Sequence, residues 1–283
     1  MAVKIIVDSS SDISEIEAKQ LGITMIPMVI TFGEEEFYDG VNLLPDQFYD
    51  KLKASKDVPK TAQVTPYRFE EAFNEATKNG DEVVAIVLSS RLSGTYESAK
   101  AASEKFNGKV FVVDSLSATS GERVLVLYAL ELVKKGLSAK EIYDELEKNK
   151  NRIEIIAVID TLEYLKKGGR VSSAVAFIGG MLNIKPLIRV IDGEVKMAGK
   201  AHGQKKAIET MKGTIRETGG IDYSMPHTVI WAGKDVSIAE RFIENHKELW
   251  KEGETPENHV IASTIGTHVG PGALGVVYFR KNA

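Results

Sequence analysis

The sequence predicts an α/β protein with two domains. Up to residue 159, short apolar runs alternate with helical patterns, which predicts an N-terminal domain with a mostly parallel sheet and helices on both faces. Beyond that point an Asp192–Gly193 hairpin turn and separate helices predict an α+β domain with a largely antiparallel sheet. We therefore expect domains over residues 1–160 and 161–283, with segment 59–76 packing against the second domain. A ligand site is expected in the cleft between the domains.

The composition is that of an ordinary globular protein. The 283 residues are 43% apolar and 27% charged, with a formal net charge of -4, and no basic stripe indicates a nucleic-acid or anionic-membrane partner. The lack of cysteine excludes disulfides, thiolate zinc sites and thiol catalysis. The first residues resemble a strand and not a signal peptide, and no apolar run is long enough to span a bilayer. We expect a cytoplasmic protein without an integral membrane segment.

In the first domain, apolar runs predict buried strands and the segments between them predict helices. The stretch from Ile23 to Phe32 is also strand-like, although Pro27 interrupts it. Ser138 with Glu141 forms a capping box at the start of one helix. The buried strands are expected at residues 3–7, 83–88, 110–113 and 153–159, and the helices are expected to end near residues 20, 54, 80, 106 and 136.

The second domain is predicted to carry a short helix after residue 162, a hairpin over 183–198 and a helix over 204–218. A strand at 227–232 and a helix from Ser237, which Glu240 would help to cap, follow. The last strands are expected at 259–265 and 276–279. Between them, a glycine-rich loop carries His268, where glycines permit a close backbone approach.

Ser93 is placed at a strand-to-helix turn, roughly at the N-cap of the helix that begins at Thr95. Ligands of open α/β sheets bind at such carboxyl ends of strands, and the free N–H groups of a helix N-terminus favour an anion. An equally plain interpretation is that Ser93 only caps the helix. Both interpretations stay open at this point.

Other polar segments could share the site with Ser93. Hydroxyl-rich loops follow two further strands, at 8–12 and 114–121, and two prolines hold the segment around Thr61 extended. The loop at 8–12 could hold a phosphate or a metal ion, but a solvated loop with a helix cap is the favoured interpretation. Arg170, which follows a double glycine, could clamp an anion or brace the site from outside.

Several enzyme classes lack their motifs in this sequence. There is no phosphate-binding loop, no dinucleotide fingerprint, no nucleophile elbow and no histidine pair with zinc-site spacing. We therefore expect no cofactor and no metal ion. A Ser93–His268–Asp114 triad remains an alternative, which would make the protein a hydrolase or an acyltransferase. A binder of a small phosphorylated ligand is a third possibility.

The segment 174–184 is apolar although glycines interrupt it. Its side chains could form ordinary core or could line a tunnel for an apolar tail. The apolar residues concerned are Ala174, Val175, Phe177, Ile178, Met181, Leu182 and Ile184.

A set of short motifs, taken in order, resembles the DegV family of bacterial fatty-acid-binding proteins. The resemblance covers nearly the whole chain. Its motifs are V-D-S-S-S-D at 7–12, T-A-Q-V-T-P at 61–66, L-S-S-R-L-S-G-T-Y at 88–96, V-V-D-S at 112–115, Y-L-K-K-G-G-R at 164–170, L-N-I-K-P at 182–186 and H-V-G-P-G-A-L-G at 268–275.

This resemblance implies two α/β domains with a long-chain, palmitate-like fatty acid buried between them. It implies that Thr61, His268 and the hydroxyl and backbone N–H of Ser93 hold the carboxylate, that Gly94 belongs to the same turn, and that Arg170 lies in the surrounding shell. It further implies that the protein is not itself an enzyme. A separate ATP-binding fatty acid kinase subunit would convert the presented carboxylate to an acyl phosphate.

Two positions depart from the pattern of the family. His202 stands where an arginine is expected near the kinase-docking face, with Lys200, Lys205 and Lys206 close to it in sequence. Ala62 stands where serine or threonine is common.

Overall fold

A computed structural model describes residues 2–171 and 183–281. The strands are β1 (Val3–Asp8), β2 (Thr24–Ile26), β3 (Val29–Phe32), β4 (Glu35–Tyr38), β5 (Lys60–Ala62), β6 (Glu82–Val87), β7 (Val110–Asp114), β8 (Ile153–Val158), β9 (Ile184–Ile191), β10 (Glu194–His202), β11 (His227–Trp231), β12 (Asn258–Val260) and β13 (Leu274–Phe279). The α-helices are α1 (Glu15–Leu21), α2 (Pro45–Ala54), α3 (Pro66–Thr77), α4 (Thr95–Ser103), α5 (Ser120–Lys134), α6 (Ala139–Asn149), α7 (Glu163–Lys167), α8 (Gln204–Glu217), α9 (Ser237–Asn245) and α10 (Ser263–Val269).

The N-terminal sheet is parallel, as the sequence predicted. Its strand order is β2-β1-β6-β7, and β6 lies in the interior with Val83 to Val87 fully buried. Because all four strands run the same way, the loops after β1, β6 and β7 meet at one edge. Two hydrogen bonds confirm this: the Leu88 N–H donates to Asp8 at 2.8 Å, and the Ser90 N–H donates to Asp114 at 3.1 Å.

The second sheet has six strands in the order β10-β9-β8-β13-β11-β12 and is mostly antiparallel. The hairpin around Asp192 and Gly193 joins β9 to β10, as predicted. The prediction that residues 153–159 extend the parallel sheet is wrong, because β8 pairs antiparallel with both β13 and β9. A buried apolar strand looks alike in either sheet, so its own sequence could not reveal its partners. The division at residue 160 stays a prediction, and the pairing of β8 favours a boundary before residue 153.

A third, three-stranded sheet has the order β4-β3-β5. It is antiparallel, and Thr61 on β5 pairs with Ile30 on β3. The predicted extended segment around Thr61 is therefore an edge strand, which fixes the direction of the Thr61 side chain.

Helix α5 lies between the parallel sheet and the six-stranded sheet and contacts both. Ten of its residues are buried, as expected of a helix that is covered on several sides. One apolar cluster joins Val7 and Ile86 of the parallel sheet to Ile155 and Val277 of the other. The two sheets thus share a continuous core.

Near the C-terminus the structure corrects two predictions. The strand expected at 259–265 ends at Val260, and residues 263–269 form helix α10, so His268 lies on a helix and not in a loop. Ser237 does not cap α9, since the N-cap is Val236 and the Ser237 N–H instead donates to Asp235. Neither helix N-terminus is capped by a residue that the sequence pattern indicated.

Candidate functional site

A cavity of about 230 Å³ lies between the carboxyl edge of the parallel sheet and the face of the six-stranded sheet. This volume far exceeds the roughly 10–15 Å³ that one buried water requires. Its walls are mainly aliphatic and come from both sheets and α10. The apolar residues that line it are Met28, Leu88, Leu92, Ala118, Ile155, Ala157, Leu165, Ile188, Val190, Val195, Ile230, Ile261, Ile265 and Val269.

Polar side chains from distant parts of the chain meet at this cavity. Thr61, Ser93, Gly94, Arg170 and His268 all line it. The structure therefore brings together all five residues that the sequence selected, although Thr61 and His268 lie 207 positions apart. Their role toward a ligand stays a prediction.

Thr61 and His268 form the one direct pair in this set. The Thr61 Oγ1 lies 2.9 Å from His268 Nε2, with β5 supplying the threonine and α10 the histidine. The imidazole packs on Gly168, where a side chain would collide with the ring. Their mutual hydrogen bond uses one of their two protons, so in this arrangement the pair offers one donor to an anion.

His268 is neutral at physiological pH. Burial, with a further contribution from the nearby Arg170 cation, lowers the pKa of the imidazole to about 4. The Nδ1 atom is buried and has no hydrogen-bond partner in residues 2–171 and 183–281. A neutral imidazole carries a single N–H, so His268 can donate either to Thr61 Oγ1 or to a ligand, and it adds no fixed charge.

The turn before α4 is built by backbone hydrogen bonds to Ser89. Its carbonyl accepts the N–H groups of Leu92 and Ser93, the latter at 3.2 Å. The N-cap of α4 is Gly94 and not Ser93. The N–H of Ser93 is thus already bonded, which weakens the expectation that it binds a carboxylate.

The hydroxyl of Ser93 remains well placed. Its Oγ lies 2.9 Å from Thr95 Oγ1, and because either atom can donate, the pair can turn one hydroxyl toward the cavity. Gly94 packs tightly against the side chain of Gln63, which also lines the cavity. Gln63 is exposed, so this polar end of the cavity lies next to solvent.

Arg170 braces the site. Its Nε donates to the Leu92 carbonyl at 3.2 Å, and its Nη1 donates to the Gly168 carbonyl at 2.5 Å. These bonds connect the turn that carries Ser93 to the glycine on which His268 packs. Arg170 therefore ties the two halves of the polar end together while lining the cavity itself.

The alternative catalytic triad is not assembled. His268 bonds to Thr61, Ser93 bonds to Thr95, and the Asp114 carboxylate accepts the N–H groups of Ser90 and Leu116. No hydrogen bond joins Ser93, His268 and Asp114 within the described residues. The mainly aliphatic walls also disfavour a small phosphorylated ligand.

The loop at 8–12 is not the solvated loop that the sequence favoured. Asp8 and Ser9 to Ser11 are fully buried, since the loop packs against α5 and α10. The Asp8 carboxylate accepts the N–H groups of Ser10 and Leu88, at 2.9 and 2.8 Å. No three His, Asp or Glu side chains among residues 2–171 and 183–281 are arranged to hold a metal ion.

The sequence did not identify the cavity walls contributed by the second sheet. Ile155, Ile188 and Ile230 come from β8, β9 and β11, and only strand pairing brings these positions to one face. The predicted tunnel segment lies almost wholly within residues 172–182, outside the described residues. Ile184, its described member, does not line the cavity.

Comparison with known proteins shows the family. A family model described as "Uncharacterised protein, DegV family" matches residues 2–281. The chain belongs to the DegV family. A DegV domain-containing protein of Deinococcus radiodurans is 35% identical over 280 residues, which cover 98% of each chain.

Solved structures of DegV proteins share this fold. A DegV family protein from Thermus thermophilus, described by its fatty acid binding, is 29% identical and superposes with a TM-score of 0.88 over 99% of this chain and 100% of that one. DegV from Bacillus subtilis, described as a fatty acid binding protein, is 31% identical, with a TM-score of 0.85 over 99% and 100% of the two chains. Among the described residues, no helix is both long enough and apolar enough to cross a membrane.

Proposed function

We propose that this DegV protein binds a long-chain fatty acid in the cavity, with the tail between the sheets and the carboxylate at Thr61, Ser93 and His268. One observation carries the proposal: a single cavity has aliphatic walls and a polar, solvent-facing end. At that end the hydroxyls of Thr61 and Ser93 and the neutral His268 lie beside the Arg170 guanidinium. Such an amphipathic cavity matches a ligand with one polar end.

The energetics favour this ligand. Burial of a sixteen-carbon tail releases about 0.8 kcal/mol per methylene, or roughly 11 kcal/mol before costs. Association removes several kcal/mol of that gain. A carboxylate buried without partners would remove several more, which is why the donors of Thr61, Ser93 and His268 are needed at the end of the cavity.

The donors also suit a carboxylate that must react. A cation bonded directly to the carboxylate would bind it tightly and lower its nucleophilicity. The Nε and Nη1 of Arg170 donate instead to backbone carbonyls, and hydroxyls and a neutral imidazole hold the carboxylate. We propose that a separate kinase subunit binds ATP. A carboxylate oxygen attacks the γ-phosphorus, the bond to the β–γ bridging oxygen breaks, and acyl phosphate and ADP form.

The binding step can be tested on freshly purified protein. Mass spectrometry of its organic extract should find a long-chain fatty acid in an amount close to one per chain, and the delipidated protein should bind palmitate. The absence of any acyl chain from the extract, together with no palmitate binding, would reject the proposal.

The transfer step needs its own test. Palmitate-loaded protein is mixed with ATP and a purified fatty acid kinase ATP-binding subunit, and hydroxylamine traps acyl phosphate as a hydroxamate. Trapping that requires all components is expected. Hydroxamate formed without the kinase subunit would show instead that this chain is itself the catalyst.

A further inference from the structure

Helix α10, which carries His268, has no cap of its own. Its N-cap residue is Ala262, whose side chain cannot accept a hydrogen bond. The first N–H groups of a helix have no partner within it. In a buried helix these groups need acceptors from elsewhere, because an unpaired buried N–H costs about 1–3 kcal/mol.

Two distant carboxylates supply these acceptors. Asp39 accepts the Ser263 N–H with one oxygen at 3.2 Å and the Thr264 N–H with the other at 3.1 Å. Asp12 accepts the Ala262 N–H at 2.9 Å. The first three N–H groups of the segment are thus bound by residues more than 220 positions away.

Asp39 also belongs to the part of the molecule that carries Thr61. It directly follows β4, and its own N–H donates to the Met28 carbonyl at 3.0 Å, next to β3. Strand β3 pairs with β4 on one side and with β5, the strand of Thr61, on the other. Asp39 therefore fixes one end of α10 to the sheet that holds the partner of His268.

The distance between the two ends of α10 makes this attachment important. Ala262 and His268 are separated by about 9 Å along the helix axis at 1.5 Å per residue. A small tilt at the N-terminus would move the imidazole relative to Thr61 Oγ1, which lies 2.9 Å from it. Hydrogen bonds of this kind weaken steeply with distance and angle.

We propose that Asp39, assisted by Asp12, is a positioning residue that aligns His268 with Thr61 for binding the carboxylate of the ligand. This inference rests on the proposed function. It assigns a role in ligand binding to residues that do not line the cavity.

The main test is a double-mutant cycle with palmitate as the probe. In Asp39→Asn an NH₂ group replaces one carboxylate oxygen. This group faces a backbone N–H and cannot accept a hydrogen bond from it. With His268 present, we expect Asp39→Asn to weaken palmitate binding about tenfold. In a His268→Ala background the same change should have less than about a twofold effect, since no imidazole remains to be positioned.

Glu122→Gln is the matched control. Glu122 belongs to the same group of buried acids and is fully buried like Asp39, but its described hydrogen bond is with Ser10 and not with α10. It should change palmitate binding by less than about twofold in both backgrounds. An equal loss in Asp39→Asn and Glu122→Gln, or a loss from Asp39→Asn that persists without His268, would overturn the proposal.

Asp12→Asn keeps the test decisive if Asp39→Asn does not fold. Asp12 has a left-handed backbone conformation with φ 62°, which asparagine adopts readily. The amide oxygen can still accept the Ala262 N–H, but without the strength of a charge-assisted bond. Binding is measured at about pH 8, where the Asp12 carboxyl, with its pKa raised to about 7, is ionised. We expect about a threefold loss of palmitate affinity that depends on His268; no loss at all, with Asp39→Asn unfolded, would also count against the proposal.

A ligand-free measurement separates this proposal from the proposed function. The ring signals of His268 in ¹⁵N NMR should shift in Asp39→Asn or Asp12→Asn and remain in place in Glu122→Gln. If the wild-type protein binds no palmitate, the proposed function fails while this measurement still reports on the alignment. Unchanged His268 signals in both aspartate variants would reject the alignment.

Discussion

Two serine-rich loops at the same edge of the parallel sheet have opposite roles. The loop after β1, at 8–12, is fully buried from Asp8 to Ser11, and its side chains bond to backbone and side-chain groups of the protein. The loop after β6, which carries Ser93 and Gly94, is only partly buried and lines the cavity. The two loops have similar residues and lie on neighbouring strands.

The difference shows what a polar loop needs in order to bind a ligand. In the first loop every carboxylate and hydroxyl already has a hydrogen-bond partner in the protein, and none of the five residues lines the cavity. In the second, the hydroxyl of Ser93 shares one bond with Thr95 and retains the capacity for another. Hydrogen-bonding groups that the fold does not consume, placed beside an apolar cavity, distinguish the ligand site.

The largest expected effect comes from a substitution in the buried loop at 8–12. Asp8→Ala should lower the free energy of unfolding by about 3 kcal/mol, because it leaves two buried N–H groups without an acceptor. Urea unfolding measures this. The control Asp235→Ala removes an exposed carboxylate that accepts the Ser237 N–H, and it should cost less than about 1 kcal/mol; equal losses would mean that burial does not distinguish the two.

A second effect is the pH dependence of stability that Asp12, in the loop at 8–12, contributes. Asp12 is partly exposed, but its carboxylate faces inward, and desolvation raises its pKa to about 7. Between pH 3.8, the ordinary pKa, and about pH 7, the pKa in the folded protein, the unfolded chain has released a proton that the folded chain keeps. Stability therefore falls as pH rises through this range. Relative to Asp12→Asn, the free energy of unfolding of the wild type should fall by about 1–2 kcal/mol between pH 4 and pH 7. The fall is smaller than the full pKa shift would give, because solvent screens a partly exposed group.

Glu141→Gln is the control for this pH dependence. Hydrogen bonds from Ser138 lower the pKa of the exposed Glu141, so its contribution is present above the ordinary pKa and is lost as pH falls. Urea unfolding at each pH should therefore give slopes of opposite sign for the two variants. Slopes of the same sign would contradict the assignment of the Asp12 carboxylate to a desolvated site.

A third effect tests the site itself. Thr61→Val keeps the shape of the side chain and removes its hydroxyl, and we expect about a tenfold loss of palmitate affinity because a bond to a charged group is lost. Stability should change little. Thr65→Val is the matched control, since Thr65 is exposed and makes no capping bond; if both variants bind like the wild type, Thr61 does not hold the carboxylate.

The smallest expected effect is a lack of titration. Because the pKa of His268 is lowered to about 4, its ring signals in NMR should not titrate between pH 5.5 and pH 8 in the ligand-free protein. Free imidazole added to the same sample titrates near the ordinary value and provides the comparison within the same spectra. Titration of His268 near pH 6.5 would show that the site holds a cation and not a neutral donor.

The local pattern of the sequence predicted a large part of the fold. The parallel strands, the hairpin at Asp192–Gly193 and the capping box of Ser138 were all confirmed. These features depend on neighbours in the chain, such as apolar periodicity and turn chemistry. The five candidate site residues also proved to line one cavity. Local pattern had singled out four of them separately, but their common role toward a carboxylate, and the inclusion of Gly94, came from the resemblance to DegV proteins.

Other features could not be predicted from local pattern. The sheet to which β8 belongs depends on its pairing with β13, more than 110 positions later. Helix α10 was predicted as strand and loop, because Ala262 gives no capping signal and the acceptors come from Asp12 and Asp39. Asp39 itself lies in a loop in which nothing in the neighbouring residues indicates a partner near position 263.

The sequence by itself determined where most strands and helices form, which loops follow the parallel strands, and the family to which the chain belongs. Only the tertiary structure decided which of the two serine-rich loops keeps hydrogen-bonding capacity for a ligand. The physical reason is that a hydroxyl or carboxylate binds whichever donor or acceptor lies within about 3 Å of it. For the loop at 8–12 those partners include Glu122 of α5 and Ala262 at the start of α10, which lie 112 and 250 residues further along the chain.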